Sequence, residues 1–192
     1  MIHFSSFGVY GDYEGVMTDN VMDRVPIRQM NDYAMTKWVN TRQILNLAEM
    51  CDTESMRVHL FNACGYGEYY SPYRSTPCVF MYRALHDAPY TVYTSHDRTS
   101  TYVTNAARTL GSIVDNFIPS EVNSIGGSDY HDIKGVSNMI LDHLGKNGSF
   151  VTYHQGEAHT TRDKKLGVGK TIRDLRHNSQ VPLEEGILCT IG

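Results

Sequence analysis

Tyr33 and Lys37 stand four residues apart, a spacing that puts both side chains on one face of a helix. A Lys ammonium beside a phenol favours the phenolate and lowers its pKa from about 10. A Tyr so placed is a usable general base near neutral pH. With thirteen Tyr and six Lys, such a pair arises by chance in roughly a third of chains, so its surroundings decide its weight. Ser6 lies 27 residues upstream, at the end of the apolar run Ile2-His3-Phe4-Ser5-Ser6. Taken alone it reads as a turn hydroxyl bonded to its own backbone. Asn62 closes a second apolar run. Ligands of an open α/β sheet bind at the carboxyl ends of its strands. A strand-end Ser, a helical Tyr–Lys pair and a second strand-end turn therefore converge on one crevice.

The elements that would position these residues follow from pattern. Ile2–Ser6 reads as a buried strand, and Gly8 and Gly11 open a loop that runs to about Gln29. Asn31 or Asp32 can cap a helix that continues to Met50, with Tyr33, Trp38, Ile44, Leu45 and Ala48 as its packed positions. Met56–Phe61 is a second strand, followed by the turn 62–67. A helix is expected over Tyr73–His86, with Pro77 tolerated only near its first turn. Short strands are expected at Tyr90–Tyr93, Thr101–Val103, Glu121–Ile125 and Phe150–Tyr153. Further helices are expected over Asn105–Asn116, Ile133–Leu144, Lys170–His177 and Leu183–Ile191, with Gly145 as a C-cap. Strands alternating with helices predict an α/β fold whose sheet is at least partly parallel.

The chain has 192 residues, 41% of them hydrophobic and 20% charged, which suits one globular domain or a little more. No run of about 18 apolar residues occurs, so no membrane span is expected. The first twenty residues carry Asp12, Glu14 and Asp19 without Lys or Arg, which fits neither a signal nor a transit peptide. Net charge is −4 and evenly spread, arguing against nucleic acid or an anionic membrane as partner. Cys51, Cys64, Cys78 and Cys189 lie far apart and form no CxxC pair, as in a reduced, cytoplasmic thiol set. Gly167-Val-Gly169-Lys170-Thr171 resembles the end of a phosphate-binding loop, but residue 164, where the pattern needs Gly, is Lys. Lys170 then reads as a helix start. The nine His include no HExxH, and His154 and His159 are badly spaced for one helix face, so no metal site is expected. Tyr66, Tyr69, Tyr70 and Tyr73 crowd one loop without a basic patch, which suits a pocket wall or packing better than base stacking.

In order, these motifs resemble the extended short-chain dehydrogenase/reductases, the NAD-dependent epimerase/dehydratases acting on nucleotide sugars. Ser5-Ser6 with Val9-Tyr10-Gly11 is similar to the family's strand and V-Y-G loop, and Tyr33 to Lys37 to its Y-x-x-x-K. Arg57 to Asn62, then Gly65 and Gly67, is similar to R-x-x-N-x-Y-G-P. Arg98 with Tyr102-Val103 resembles R-x-x-x-Y-V, Glu121 to Gly127 the strand ending in N-I-G-G, and Arg162-Asp163, Lys170 and Leu183 to Ile187 the C-terminal stretch. The resemblance implies the C-terminal part of a Rossmann-type parallel sheet plus a smaller α/β substrate-binding region. Residues 1–72 would be a partial Rossmann domain. Residues 73–192 would be mainly the substrate region, with one Rossmann strand returning near 121–126.

It also implies roles. Tyr33 would take the proton of a sugar hydroxyl, Lys37 would hold the nicotinamide ribose, and Ser6 would bond the reacting hydroxyl. Asn62, Arg98 and Arg162 would bind the nucleotide-diphosphate sugar, the arginines pairing with phosphate. The cofactor implied is NAD, with NADP the alternative. The family's G-x-x-G-x-x-G fingerprint is absent, and members begin several strand–helix units earlier. The resemblance therefore suggests an N-terminally truncated chain, a weak binder of NAD by itself, working as a homodimer or with a separate N-terminal half. Dehydratases of the family carry Asp-Glu directly after the catalytic Ser or Thr, where this chain has Phe7 and Gly8, so an epimerase is the leading expectation. Tyr66 stands in place of Pro, and Thr104-Asn105 in place of a frequent Asp pair. The alternative function is a non-catalytic nucleotide-sugar-binding module.

Overall fold

Three parallel strands carry the sheet that faces the Tyr33–Lys37 helix. In the computed structural model, which describes residues 1–191, the chain opens with β1 (Ile2–Ser6), a 3-10 turn (Phe7–Tyr10), α1 (Val21–Arg24) and α2 (Asp32–Met50). β2 (Met56–Leu60), β3 (Ala63–Cys64), α3 (Thr76–Leu85), β4 (Tyr90–Thr94), β5 (Asp97–Thr99), β6 (Thr101–Tyr102) and α4 (Val103–Ser112) follow. The last third holds β7 (Val122–Ile125), β8 (Tyr130–Asp132), α5 (Ile133–His143), β9 (Val151–Gln155), β10 (Asp163–Lys164), α6 (Gly169–Leu175) and α7 (Leu183–Ile191). The first sheet has the order β1-β2-β7, with Ser6 opposite Leu60 and Leu60 opposite Ile125. A second, mixed sheet runs β10-β5-β8, and β3 with β6 and β4 with β9 form two parallel pairs.

Local chemistry sets the ends of the helices. Asn31 caps α2 by accepting from the Ala34 N–H at 2.9 Å. Ser75 caps α3 through the Cys78 N–H, with Pro77 inside the first turn where its missing N–H costs nothing. Asp132 caps α5 by accepting from Lys134 and Gly135, both at 3.1 Å. Gly11 has φ +49°, and a side chain there would run into the Arg28 carbonyl. One core packs Val58, Ile113, Ile125 and Leu175 against the first sheet, a second packs Tyr10, Met17 and Phe61, and a third packs Phe80, Val92, Ile140 and Ile187.

Several expectations shift. The 11–29 stretch contains the short α1, and the strands β5, β8 and β10 were not legible because each is two or three residues long. α4 begins two residues early and ends at Ser112, and α3 begins at Thr76. The largest correction concerns α2, which buries only Ala34 and Thr41, leaving Trp38 37% exposed. Thr41 and Lys37 bond to β1, through the Ser5 hydroxyl and the Phe4 carbonyl, and β1 has no outer neighbour among the described residues. Met35, Val39, Leu47 and Met50 are likewise exposed. The four cysteines are free, and among the described residues no helix is long and apolar enough to cross a membrane.

Candidate active site

Ser6 ends β1, buried, and its Oγ accepts from the Gly8 N–H at 3.2 Å, which starts the 3-10 turn. One residue back, Ser5 and Thr41 exchange a hydroxyl hydrogen bond of 3.2 Å that ties β1 to α2. That tie fixes the helix one turn below Lys37, whose ammonium donates to the Phe4 carbonyl at 3.4 Å. Tyr33 lies one turn further toward the helix start and is 58% exposed. A methyl group on Gly8 would stand 3.6 Å from both Ser6 Oγ and Tyr33 Cε1. The serine and the phenol therefore border one space, kept open by the missing side chain of Gly8.

Ser6, Tyr33, Lys37 and Asn62 line one cleft of about 550 Å3, which Glu68 and Arg74 also line. Asn62 leaves β2 at φ +33°, a region Asn tolerates better than most residues. Its amide donates to the Thr99 carbonyl at 2.9 Å. Asn62, Phe7, Arg74 and Thr76 also border a second cleft of about 370 Å3, so the two adjoin.

The second cleft holds Arg98, His96, Glu157 and Lys164. Arg98 is 8% exposed, and its Nη1 donates to the Asp97 carbonyl at 3.0 Å and to the Arg162 carbonyl. Nη2 stands 3.1 Å from His96 Nδ1. Burial lowers the Arg98 pKa against the pull of Glu157 and Asp163. Burial and Arg98 together lower that of His96, whose Nε2 accepts from the Glu157 N–H at 2.9 Å. Lys164 is pushed down to about 7, first by burial and then by Arg98.

Of the residues expected from sequence, Ser6, Tyr33, Lys37 and Asn62 meet in one cleft, and Arg98 lies in the adjoining one. Arg162 is exposed and lines neither cleft; its backbone carbonyl holds Arg98 instead. Lys164, His96 and Glu157 went unnoticed. Nothing local marks them, because Lys164 reaches the cleft only through the pairing of β10 with β5. Of the clustered tyrosines, Tyr70 stacks on Tyr82 at 3.8 Å and accepts from Arg83 at 2.7 Å, which is packing, while Tyr73 borders the first cleft. Lys170 starts α6 and pairs with Glu121 at 3.0 Å. No cluster of metal-ligating side chains occurs among the described residues.

Solved structures share this fold. The chain superposes on the UDP-glucuronic acid 4-epimerase of Bacillus cereus, crystallised with UDP-glucuronic acid and NAD, with a TM-score of 0.85 at 20% identity, covering 99% of this chain and 59% of that one. The UDP-glucose 4-epimerase of Thermus thermophilus, in complex with NAD, gives a TM-score of 0.85 at 18% identity, over 99% and 62%. The dTDP-glucose 4,6-dehydratase DesIV of Streptomyces venezuelae, with NAD bound, gives 0.84 at 20% identity, over 99% and 58%. The chain thus spans about three fifths of the length of these structures. Comparison with curated protein sequences finds no match. The mixed α/β architecture with parallel sheets is that of these Rossmann-like neighbours. The sequence model of the NAD dependent epimerase/dehydratase family matches residues 1–126, about two thirds of the chain. With Ser6, Tyr33 and Lys37 gathered at the end of β1 inside that matched region, the chain belongs to the NAD dependent epimerase/dehydratase family.

Proposed function

We propose that the chain is the catalytic and substrate-binding part of an NAD-dependent nucleotide-sugar epimerase. One observation carries this reading: Ser6, Tyr33, Lys37 and Asn62 line one cleft, and Asn62 also borders the adjoining cleft that holds Arg98. The residues present fit one end of the cofactor. Tyr33 and Lys37 share a helix face at the carboxyl end of β1, where the nicotinamide ribose would be held. Residues 1–192 contain no G-x-x-G-x-x-G turn for the pyrophosphate, so that end would be held by a dinucleotide-binding part outside them. When bound, NAD supplies the hydride acceptor.

The chain's own residues do the rest. Tyr33 accepts the proton of the sugar hydroxyl as the carbon beneath it is oxidised, and returns it on re-reduction. Lys37 places a positive charge on the same helix face, favouring the negative charge that develops on the phenolic oxygen. Ser6 orients the hydroxyl, and Asn62 guides the sugar toward the second cleft. Arg98, fixed by two carbonyls, meets the diphosphate. Phe7 and Gly8 offer no acid or base beside Ser6, which favours epimerisation over elimination of water. The free thiols suit a reducing, cytoplasmic setting.

The test is an assay of the chain with its dinucleotide-binding half supplied, using nucleotide sugars and following inversion at the sugar carbon by NMR. The expected result is inversion in the wild type, and loss of turnover with NAD still bound in Tyr33→Phe. Full activity of Tyr33→Phe removes Tyr33 from the mechanism. Nucleotide-sugar binding without turnover in the wild type would make the chain a binding module.

A further inference from the structure

We propose that Lys164 is a specificity-determining residue, and that the crevice selects a nucleotide sugar carrying a carboxylate on its sugar ring. The inference rests on the nucleotide-sugar reading above and adds the substrate class. Lys164 and Arg98 are register partners on the parallel strands β10 and β5, so both side chains leave the same face of the sheet. Both line the second cleft. The Lys164 ammonium stands 4.4 Å from the centroid of the Phe7 ring. Among the described residues it makes no ion pair. An aromatic face is its defined partner, and Glu157 is the acidic side chain that shares its cleft.

The order of groups along the crevice assigns the ligand. Ser6 and Tyr33 mark the reacting hydroxyl at one end. Phe7 follows Ser6 directly and borders both clefts, with Lys164 over its ring. Arg98 lies beyond. Three of its five N–H donors are engaged, two from Nη1 on the carbonyls of Asp97 and Arg162 and one from Nη2 toward His96 Nδ1, which leaves the Nε N–H and one Nη2 N–H for a phosphate. Between the reacting carbon and the diphosphate lies the rest of the sugar ring. A cation without an ion pair at that height faces the ring's substituents, and the ionised group a sugar ordinarily carries there is an exocyclic carboxylate. A neutral sugar would leave the ammonium desolvated against Phe7 beside Arg98, and a uronate would neutralise it. Burial holds the Lys164 pKa at about 7, as expected for a cation still lacking its counter-charge.

The test is calorimetric binding of UDP-glucose, UDP-glucuronic acid and their dTDP counterparts to the chain at pH 6.5, for wild type and Lys164→Gln. The uronates are expected to bind about tenfold more tightly than the neutral sugars, as one charge-assisted contact provides. Lys164→Gln should erase that preference and leave the neutral sugars within about twofold. Should Lys164→Gln fail to fold, Lys164→Arg keeps the charge and should keep the preference; its loss there overturns the proposal. Equal binding of both sugars by the wild type, or a preference that survives Lys164→Gln, also overturns it. An equal loss of both sugars in the variant would place Lys164 on the diphosphate and overturn the carboxylate. Absence of binding by every nucleotide sugar would instead overturn the nucleotide-sugar reading itself.

Discussion

The ammonium of Lys37 is anchored on the carbonyl of Phe4, 33 residues earlier in the chain, at 3.4 Å. This contact joins the second turn of α2 to the strand that ends in Ser6, so helix and strand hold their active groups at a set separation. An exposed hydrogen bond of this kind contributes little to stability, on the order of 1 kcal/mol or less. Lys37→Met should therefore leave the urea midpoint nearly unchanged. In the reconstituted protein it should lower turnover by about a hundredfold or more, as for loss of a positioned acid–base partner. A matching loss of stability would make the contact structural.

Gly8 should separate space from folding. A methyl group there meets its neighbours at 3.6 Å, ordinary van der Waals contact. Gly8→Ala is expected to fold normally and keep its activity. Gly8→Leu should fill the space between Ser6 and Tyr33 and abolish turnover while circular dichroism stays native. Activity in Gly8→Leu would show that the sugar hydroxyl does not pass through that space.

His59 should make the protein sensitive to acid. It is fully buried, its Nδ1 bonds the Tyr10 hydroxyl at 3.0 Å, and its Nε2 has no partner. Burial lowers its pKa from 6.5 to about 3, so between those values the unfolded chain binds the proton that the folded chain refuses. Its contribution to stability is complete above about pH 6.5 and declines as pH falls toward 3, at a limiting slope of about 1.4 kcal/mol per pH unit. Chemical unfolding at pH 7 and pH 5 should show a smaller drop for His59→Asn than for wild type. Equal drops would move the acid sensitivity to other buried histidines.

Asn105 stands where the family resemblance leads one to expect Asp, and its contacts favour the amide. It is fully buried, donates to the Val181 carbonyl at 2.8 Å, and accepts from the Gln180 and Val181 N–H groups at 3.2 Å. Asn105→Ala orphans these backbone groups and should cost about 2–4 kcal/mol in a urea titration. Asn105→Asp should also destabilise, because a carboxylate would face the Val181 carbonyl. A neutral effect of either would mean the 178–182 segment finds other partners.

The outer edge of β1 should drive association. Phe4 is 49% exposed on that strand, and Met35, Val39 and Leu47 are exposed on α2 beside it. An unpaired parallel edge with apolar neighbours is a template for another strand. Sedimentation velocity should show self-association that rises with concentration and weakens in Phe4→Lys. A strictly monomeric wild type would argue that the edge is protected.

What the sequence by itself determined is mostly local. Four-residue spacing put Tyr33 and Lys37 on one face, and Asn31 placed the start of α2, because helix period and capping act over a turn or less. Ser6 and Asn62 could be placed at strand ends because apolar runs stop there, and the convergence of those ends in one crevice follows from the general rule for parallel sheets. The family resemblance added Arg98 and Arg162 as a pair, and only the fold separated them. Arg98 enters the cleft, and Arg162 serves through its carbonyl, a role no side-chain pattern encodes. Lys164 was invisible for a related reason. Its strand is two residues long, and its partner Arg98 lies 66 positions away in sequence. Pairings of that range leave no periodicity in the chain; they exist once the β10-β5-β8 sheet has formed. The exposure of α2 was likewise decided in three dimensions, since an apolar helix face is buried only where a neighbouring strand or helix comes to cover it.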